Sequence, residues 1–444
     1  MKDVRVINGA YVTEENDKVL IFNPHLFTSF ILAKDGTIEN TLEKNKKLLI
    51  DKSIIFEDNF DYNLISKFFE NKEKYNFNKL TITDALSYNC NLNCSYCMQQ
   101  NTFKEIRRIN LDEKLDLWLK LINLFNAKQI DLCMFGGEPL LEYEKFDKLF
   151  DGLLLNNICI SNINAVTNGT ICNENIINFI NKYKLNSLQI TIDGTENIHN
   201  LRRVSKNKGE KPFNNIINNI KWFLSSTDVL ITINTVLDKA NKDDYINLID
   251  YLIKEFKGYI YSCRPRIIFN LGLECHPFKK SDFTIKNILP DSEYQNTYYD
   301  CMYKLINKNV AINSILPSPI CIKNLPTDLI ISPDGSVYNC ISGLGLDDFK
   351  IGTYYDITNN PEKFIINLIN KKKKLDYNCN KCMYSPLCNG GCEYEMISSE
   401  KKSSCQKRIF DKHIYDIIKI ATMVEEIDNN VFRRRCYESD FEYV

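Results

Sequence analysis

Between residues 79 and 272 the chain alternates two patterns. Short apolar runs rich in β-branched residues cover Lys79–Leu86, Gln129–Phe135, Ile158–Val166, Ser187–Ile192, Val229–Val236 and Arg266–Leu271. Between them lie longer segments with apolar positions at helical spacing: Leu111–Phe125, Glu142–Leu155, Glu174–Tyr183, Phe213–Leu224 and Lys242–Phe256. Strands alternating with helices of this length predict parallel βα units. Right-handed crossovers roll such units into a barrel or a partial barrel, here of (β/α)6 type. The chain's unusual segments then fall at one end of that barrel. Cys90–Cys97 follows the first strand, Gly136–Pro139 the second, Thr167–Thr170 the third and Asp193-Gly194 the fourth. That is the C-terminal end of the strands, where barrel active sites assemble.

The flanks read differently. Residues 1–80 hold two short strand candidates, Lys18–Phe22 and Ser29–Lys34, and two helical segments, Leu42–Leu49 and Tyr62–Tyr75. Such a small α+β extension is compatible with a winged-helix-like peptide-binding module, or with packing that covers an open barrel edge. Residues 301–444 are dense in cysteine and turns, and 406–425 read as an amphipathic closing helix. Three units are therefore expected: 1–80, 81–300 and 301–444.

Composition narrows the chemistry. At 444 residues and 44% apolar the chain can bury a large core, and its net charge of -1 offers no footing for nucleic acid or an anionic membrane. No apolar run approaches the roughly 18 residues of a membrane span, and residues 1–8 are too polar for a signal peptide. The expectation is a cytoplasmic protein without membrane or nucleic-acid partners. In that setting 17 clustered cysteines read as metal ligands rather than disulfides.

Cys90, Cys94 and Cys97 lie in Tyr88-Asn-Cys90-Asn-Leu-Asn-Cys94-Ser-Tyr96-Cys97. Three thiolates within one tight loop can hold a cubane and leave one iron open to a ligand. A zinc site would want a fourth ligand, and only Cys133, within an apolar strand, stands moderately near. The segment resembles the CxxxCxxC signature of the radical S-adenosylmethionine (SAM) superfamily, with Tyr96 as the aromatic before the last cysteine. In that family the open iron binds SAM, and reductive cleavage yields a 5′-deoxyadenosyl radical that abstracts hydrogen from an unactivated C–H bond.

Two further segments support the resemblance. Gly136-Gly137-Glu138-Pro139 resembles the family's GGEP motif, which receives the methionine ammonium. Thr191-Ile-Asp193-Gly194, followed by His199 and Arg203, resembles the (S/T)-x-D-G…H…R pattern of its peptide-modifying branch. The resemblance implies that Thr191 and Arg203 contact SAM, Arg203 forking onto the carboxylate. Arg202 is adjacent and competes for that role. His199 reads equally as structural, and Asp193 as a turn cap.

Downstream, Cys321 and Cys340 flank Gly335, followed by Cys379-x2-Cys382-x5-Cys388-x3-Cys392 and then Cys405. These spacings resemble the seven-cysteine SPASM domain, which holds two auxiliary clusters. A zinc ribbon on Cys379, Cys382, Cys388 and Cys392 is the alternative, and leaves Cys321, Cys340 and Cys405 without a role. The resemblance assigns Cys321, Cys340 and Cys392 to the nearer auxiliary cluster and Cys379, Cys382, Cys388 and Cys405 to the farther one. Three iron–sulfur clusters of the 4Fe-4S type are implied. The nearer lacks a ligand, for which Cys301 is the candidate, with Cys275 and Cys263 behind it, unless a substrate thiol fills an open iron.

SPASM enzymes mostly act on peptides. Sulfatase-maturing members carry an aspartate after the cysteine corresponding to Cys340, where this chain has Ile341, and generally begin close to the first cysteine cluster. The expected activity is therefore maturation of a ribosomally made precursor peptide through a thioether or carbon–carbon crosslink. Residues 1–80 would hold the leader, and a flavodoxin or ferredoxin would supply electrons. Formylglycine generation in sulfatases is the second reading; an electron carrier or zinc-binding structural protein is the third. No residue is marked by the sequence as the general base.

Overall fold

The computed structural model describes residues 3–97, 99, 108–273, 289, 291–313, 321–371, 379, 381–398 and 405–426. Cys275 and Cys436 lie outside the described residues. The chain opens with a four-stranded antiparallel meander of β1 (Arg5–Ile7), β2 (Ala10–Glu15), β3 (Lys18–Asn23) and β4 (Thr28–Ala33), followed by helices α1 (Ile38–Asp51) and α2 (Asn63–Lys74). Sequence pattern reveals β3 and β4 but not β1 or β2. The segment that forms β2 mixes apolar and charged residues, and its pairing with β3 is a tertiary matter. Alternation assigns the two faces of this sheet. Ala10, Val12, Val19 and Ile21 pack on Ile38, Leu42 and Leu49 of α1. Tyr11, Leu20 and Phe22 point the other way and join the main core.

That second face meets the closing helix, Lys407–Glu426. Ser29 Oγ donates to the Ala421 carbonyl at 3.0 Å, and Tyr415 and Lys419 both reach Glu15 Oε1 at 2.8 Å. Tyr11 donates to the Met383 carbonyl at 2.5 Å. The N-terminal unit is thus seated on the C-terminal region, and none of its strands pairs with an edge of the main sheet.

The six expected barrel strands are β5 (Lys79–Ala85), β7 (Gln129–Phe135), β8 (Ile160–Thr167), β9 (Ser187–Thr191), β11 (Leu230–Leu237) and β12 (Ile267–Leu273). They lie parallel in the order β12-β11-β9-β8-β7-β5. Three short strands of the cysteine-rich region continue the same sheet: β13 (Asp328–Ile331), parallel to β5, then β14 (Ser336–Tyr338) and β15 (Lys350–Thr353). The sheet has two ends and is a partial barrel. A two-stranded ribbon of β6 (Leu92–Cys94) and β10 (Arg203–Ser205) lies apart from it.

The crossover helices are α3 (Leu111–Phe125), α4 (Tyr143–Leu155), α5 (Glu174–Tyr183), α6 (Glu196–Arg202), α7 (Pro212–Ser226) and α8 (Tyr245–Ile260). The outer strand faces are apolar, with Leu80, Ile82, Ile130, Leu132, Ile163, Leu188, Ile190 and Ile231 all buried among helix residues such as Leu117, Trp118, Phe146, Phe150 and Phe223. The opposite face is polar. Thr83, Cys133, Asn164 and Ser187 share one register row, and Thr191, Asn234 and Asn270 another. A closed barrel fills this space with branched aliphatic side chains; the open one leaves a polar lumen beneath the motif-bearing loops.

One buried charge pair sits on the outer face. Asp84 of β5 accepts from Lys114 Nζ at 3.0 Å and Trp118 Nε1 at 2.7 Å, and Lys114 also donates to the Ser332 carbonyl at 2.9 Å. Both charged side chains are at most 2% exposed. The pair ties the first barrel strand and α3 to the turn after β13.

Candidate active site

The cysteine loop rises from the end of β5. Cys94 lies on β6 directly opposite Arg203 on β10. Cys90 Sγ accepts from the Leu92 N–H at 3.4 Å and from Asn168 Nδ2 at 3.7 Å. The Cys97 N–H closes a turn on the Cys94 carbonyl at 3.2 Å. Burial pushes the Cys94 thiol up to about 12, against the pull of nearby Arg203. Burial also raises Cys90, partly offset by the Leu92 N–H. Binding of a metal centre at such thiols releases protons.

The two glycines after β7 are demanded by this loop. A Cβ on Gly137 would stand 2.1 Å from the Asn89 carbonyl oxygen, and one on Gly136 would stand 2.4 Å from that of Ser87. The N–H groups of Gly137 and Glu138 donate to Ser87 and Asn89 carbonyls at 2.9 and 2.7 Å. Among the described residues the carbonyl oxygens of Gly136 and Gly137 accept no hydrogen bond, so both are open to a cationic donor. Glu138 is different. Its carboxylate, in a residue 1% exposed, accepts from Thr167 Oγ1 at 2.6 Å, the Asn168 N–H at 2.7 Å and the Leu140 N–H at 3.0 Å. It braces the turn after β8, which in turn presents Asn168 to Cys90.

A second network answers which arginine faces the loop. Arg202 is fully buried; it is paired with Asp238, donates to the Val236 carbonyl at 3.1 Å and has its Nε 3.7 Å from Asp193 Oδ2. Its own carbonyl accepts from the Ser95 N–H at 3.0 Å. Arg202 is therefore spent within the protein. Arg203 donates to Tyr96 Oη at 2.5 Å and lies opposite Cys94. Tyr96 in turn donates to Asp193, and both guanidinium groups lie over its ring, at 4.9 and 6.0 Å from the centroid. Thr191 ends β9 beneath this network, 8% exposed, and its hydroxyl has no hydrogen-bond partner among the described residues. His199 accepts the Asp193 N–H at Nδ1 at 3.2 Å, and burial lowers it to about 3. It is a neutral structural acceptor.

Further along, the sulfurs of Cys321, Cys340 and Cys392 influence one another. Cys340 and Cys392 also pack with Ile341, Tyr88 and Phe135 around Tyr338, Phe349 and Tyr394. This apolar cluster joins the cysteine loop after β5 to the downstream cysteines. Cys379 and Cys382 share a turn, with the Cys382 N–H on the Cys379 carbonyl at 3.2 Å, and Cys388 ends the short helix Ser385–Cys388. Cys405 is exposed just ahead of the closing helix. Cys301 is 2% exposed on the helix Asp291–Asn307, near Tyr245, with Asp300, Lys304 and Asp243 as its charged neighbours. Cys263, by contrast, is exposed beyond α8. All fifteen described cysteines are free thiols, and among the described residues no three His, Cys, Asp or Glu side chains converge on a single-ion site.

The radical SAM superfamily model matches residues 85–252, the span from the end of β5 into α8. A cysteine-type anaerobic sulfatase-maturating enzyme of Clostridium novyi is 30% identical over 340 residues, covering 69% of this chain and 85% of the relative. The chain belongs to the radical SAM superfamily. Among solved structures, anSMEcpe with bound AdoMet and a peptide superposes with a TM-score of 0.60 at 22% identity, covering 79% of this chain and 99% of that one. Streptococcus suis SuiB bound to its precursor peptide SuiA gives a TM-score of 0.51 at 16% identity, covering 90% of this chain and 98% of that one. The radical SAM fold with a SPASM-type C-terminal region is thereby established, as is an enzyme that uses SAM. The family implies a 4Fe-4S cluster, and the loop's three thiols, the open glycine carbonyls and the facing Arg203 suit that cluster with SAM. Among the described residues no helix is long and apolar enough to cross a membrane.

Two functional contacts escape the sequence pattern. Asn168 reaches Cys90 from a neighbouring strand end, and Asp238 neutralises Arg202. Polar residues at the ends of β8 and β11 are the signal that points to them.

Proposed function

We propose that this radical SAM enzyme is a maturase of a ribosomally made precursor peptide, closing a thioether or carbon–carbon crosslink. In this reading Cys90, Cys94 and Cys97 hold the SAM-binding cluster. Gly136 and Gly137 offer carbonyls to the methionine ammonium, and Arg203 and Thr191 meet its carboxylate and hydroxyl groups. The bound cluster and SAM supply a hydrogen-abstracting 5′-deoxyadenosyl radical. The chain's own work is positional. Tyr96 and Asp193 orient Arg203, Glu138 holds the turn after β8 against the cysteine loop, and the polar lumen receives a neutral peptide segment. Cys321, Cys340 and Cys392 hold the nearer auxiliary cluster, with its fourth position left to substrate or to a residue outside the described set. Cys379, Cys382, Cys388 and Cys405 hold the farther one. Residues 1–80 hold the leader, 81–300 form the radical-generating unit and 301–444 the auxiliary-cluster unit.

The observation that carries this reading is the N-terminal sheet with α1 and α2. The anSMEcpe structure is matched over nearly its whole length yet leaves more of this chain over than SuiB does, and SuiB binds a precursor peptide. In addition, α2 exposes Leu64 and Phe68, with Phe60 and Tyr75 at its ends, a surface suited to an apolar peptide. The likeness to the Clostridium novyi enzyme favours a second reading, conversion of a substrate cysteine to formylglycine. Against it stands Ile341, whose side chain packs in the apolar cluster and has no acid–base capacity. Offering the reduced enzyme two substrates separates the readings: a precursor encoded by a short open reading frame beside the gene, and a cysteine-containing sulfatase peptide. Turnover of the sulfatase peptide alone refutes the maturase reading.

A further inference from the structure

Two charged residues stand beside two proposed ligands of the nearer auxiliary cluster. Lys323 follows Cys321 by two positions, and Glu393 directly follows Cys392. The chain brings them together. Lys323 Nζ lies 2.7 Å from Glu393 Oε2, with side-chain exposures of 4% and 29%. The ammonium also sits 4.8 Å from the ring centroid of the fully buried Phe349. The 3-10 turn Ile322–Asn324 is closed by the Asn324 N–H on the Cys321 carbonyl at 2.8 Å, so Lys323 moves with Cys321. On the other side the helix Glu393–Ser398 begins at Cys392, whose carbonyl accepts from the Met396 N–H at 3.1 Å. Glu393 therefore moves with Cys392.

Burying an ammonium is costly, and an apolar side chain of similar length would fill the same space at less cost. The return on the pair is geometric. It joins two segments far apart in sequence at the point where each delivers a thiol.

We propose that the Lys323–Glu393 ion pair is a clasp that holds the Cys321 turn against the Cys392 helix, making both residues positioning residues for the nearer auxiliary cluster. The inference rests on the auxiliary-cluster assignment made above. Lys323 is not a ligand, and the clasp takes no part in SAM cleavage, which belongs to the opposite end of the apolar cluster around Tyr88.

The test uses the full chain reconstituted anaerobically as wild type, Lys323→Met, Lys323→Arg and Glu393→Gln. Iron and sulfide per chain, the EPR spectrum of the reduced protein and 5′-deoxyadenosine release without peptide are measured together. Lys323→Met and Glu393→Gln are expected to lose the iron and sulfide of one cubane and one EPR component, while keeping the SAM-cluster signal and the release of 5′-deoxyadenosine. Lys323→Arg, which can still reach the carboxylate, is expected to restore the missing component. Wild-type iron content and an unchanged spectrum in Lys323→Met and Glu393→Gln overturn the clasp alone. A wild type that loads a single cluster overturns the auxiliary assignment and the clasp with it. Should Lys323→Met fail to fold, Glu393→Gln at its more exposed position decides the matter alone.

Discussion

Arg202 and Arg203 are neighbours in sequence, and their substitution should give opposite results. Arg203 lies opposite Cys94, and its guanidinium donates to Tyr96 and stands 3.9 Å from Asp193 Oδ2. On the proposed role of Arg203, Arg203→Gln removes a charge-assisted contact to the SAM carboxylate, worth about 1.5–3 kcal/mol, or roughly a ten- to hundredfold loss of affinity. Tyr96 keeps Asp193 as its partner, so folding should change less than binding. Arg202→Gln instead leaves Asp238, 0% exposed, without its cation, and leaves Asp193 with Arg203 alone at 3.9 Å. Breaking a buried pair in this way costs about 3–5 kcal/mol of stability. The assays are SAM affinity of the cluster-loaded protein by equilibrium dialysis and guanidinium unfolding of the same samples. Arg203→Gln should bind weakly and unfold near the wild-type midpoint; Arg202→Gln should unfold much earlier. If Arg203→Gln binds SAM normally, or if Arg202→Gln loses binding at wild-type stability, the assignment of the two roles is wrong.

Three more outcomes follow from the same packing. Gly137→Ala drives a Cβ into the Asn89 carbonyl, so it should cost on the order of 3 kcal/mol and reduce iron uptake by the first cluster, measured by unfolding and iron analysis. Lys114→Met leaves Asp84 buried without its cation, with only Trp118 still donating to it, and should cost about 3–5 kcal/mol; a Lys114→Met, Asp84→Leu double variant should recover much of that by thermal unfolding. His199 is held neutral, its pKa lowered from 6.5 to about 3 by burial. Its contribution is therefore complete above pH 6.5 and is lost as pH falls toward 3. The unfolding midpoint should drop more between pH 7 and pH 5 in the wild type than in His199→Gln.

The barrel was largely legible because its code is local. Outer faces such as Leu80, Ile82, Ile130 and Leu132 alternate with polar lumen positions, and each motif follows a strand. The cysteine loop and the SPASM spacings were legible because one short segment, or one fixed interval, carries each ligand set. The rest depends on contacts distant in sequence. β2 is fixed by β3 and the closing helix, not by its own composition. The sequence marks Glu138 as a cofactor contact but does not show its bracing role, since its carboxylate accepts three hydrogen bonds from the β8 turn and its own segment. Cys301 is offered as fourth ligand only by order along the chain; its burial on helix Asp291–Asn307 near Tyr245 is a tertiary matter that no spacing rule conveys. The choice between Arg202 and Arg203 needed Asp238, a residue no spacing rule connects to either.

The central claim is peptide crosslinking by a hydrogen-abstracting SAM enzyme. It is tested most directly by the exact mass of a cysteine-containing precursor after anaerobic incubation with reduced enzyme and SAM. The account predicts a product lighter by one H2 per ring with all sulfur retained, formed alongside 5′-deoxyadenosine and absent with Cys94→Ala. A product that has lost sulfur and gained oxygen, or a precursor left unchanged while 5′-deoxyadenosine accumulates, contradicts it.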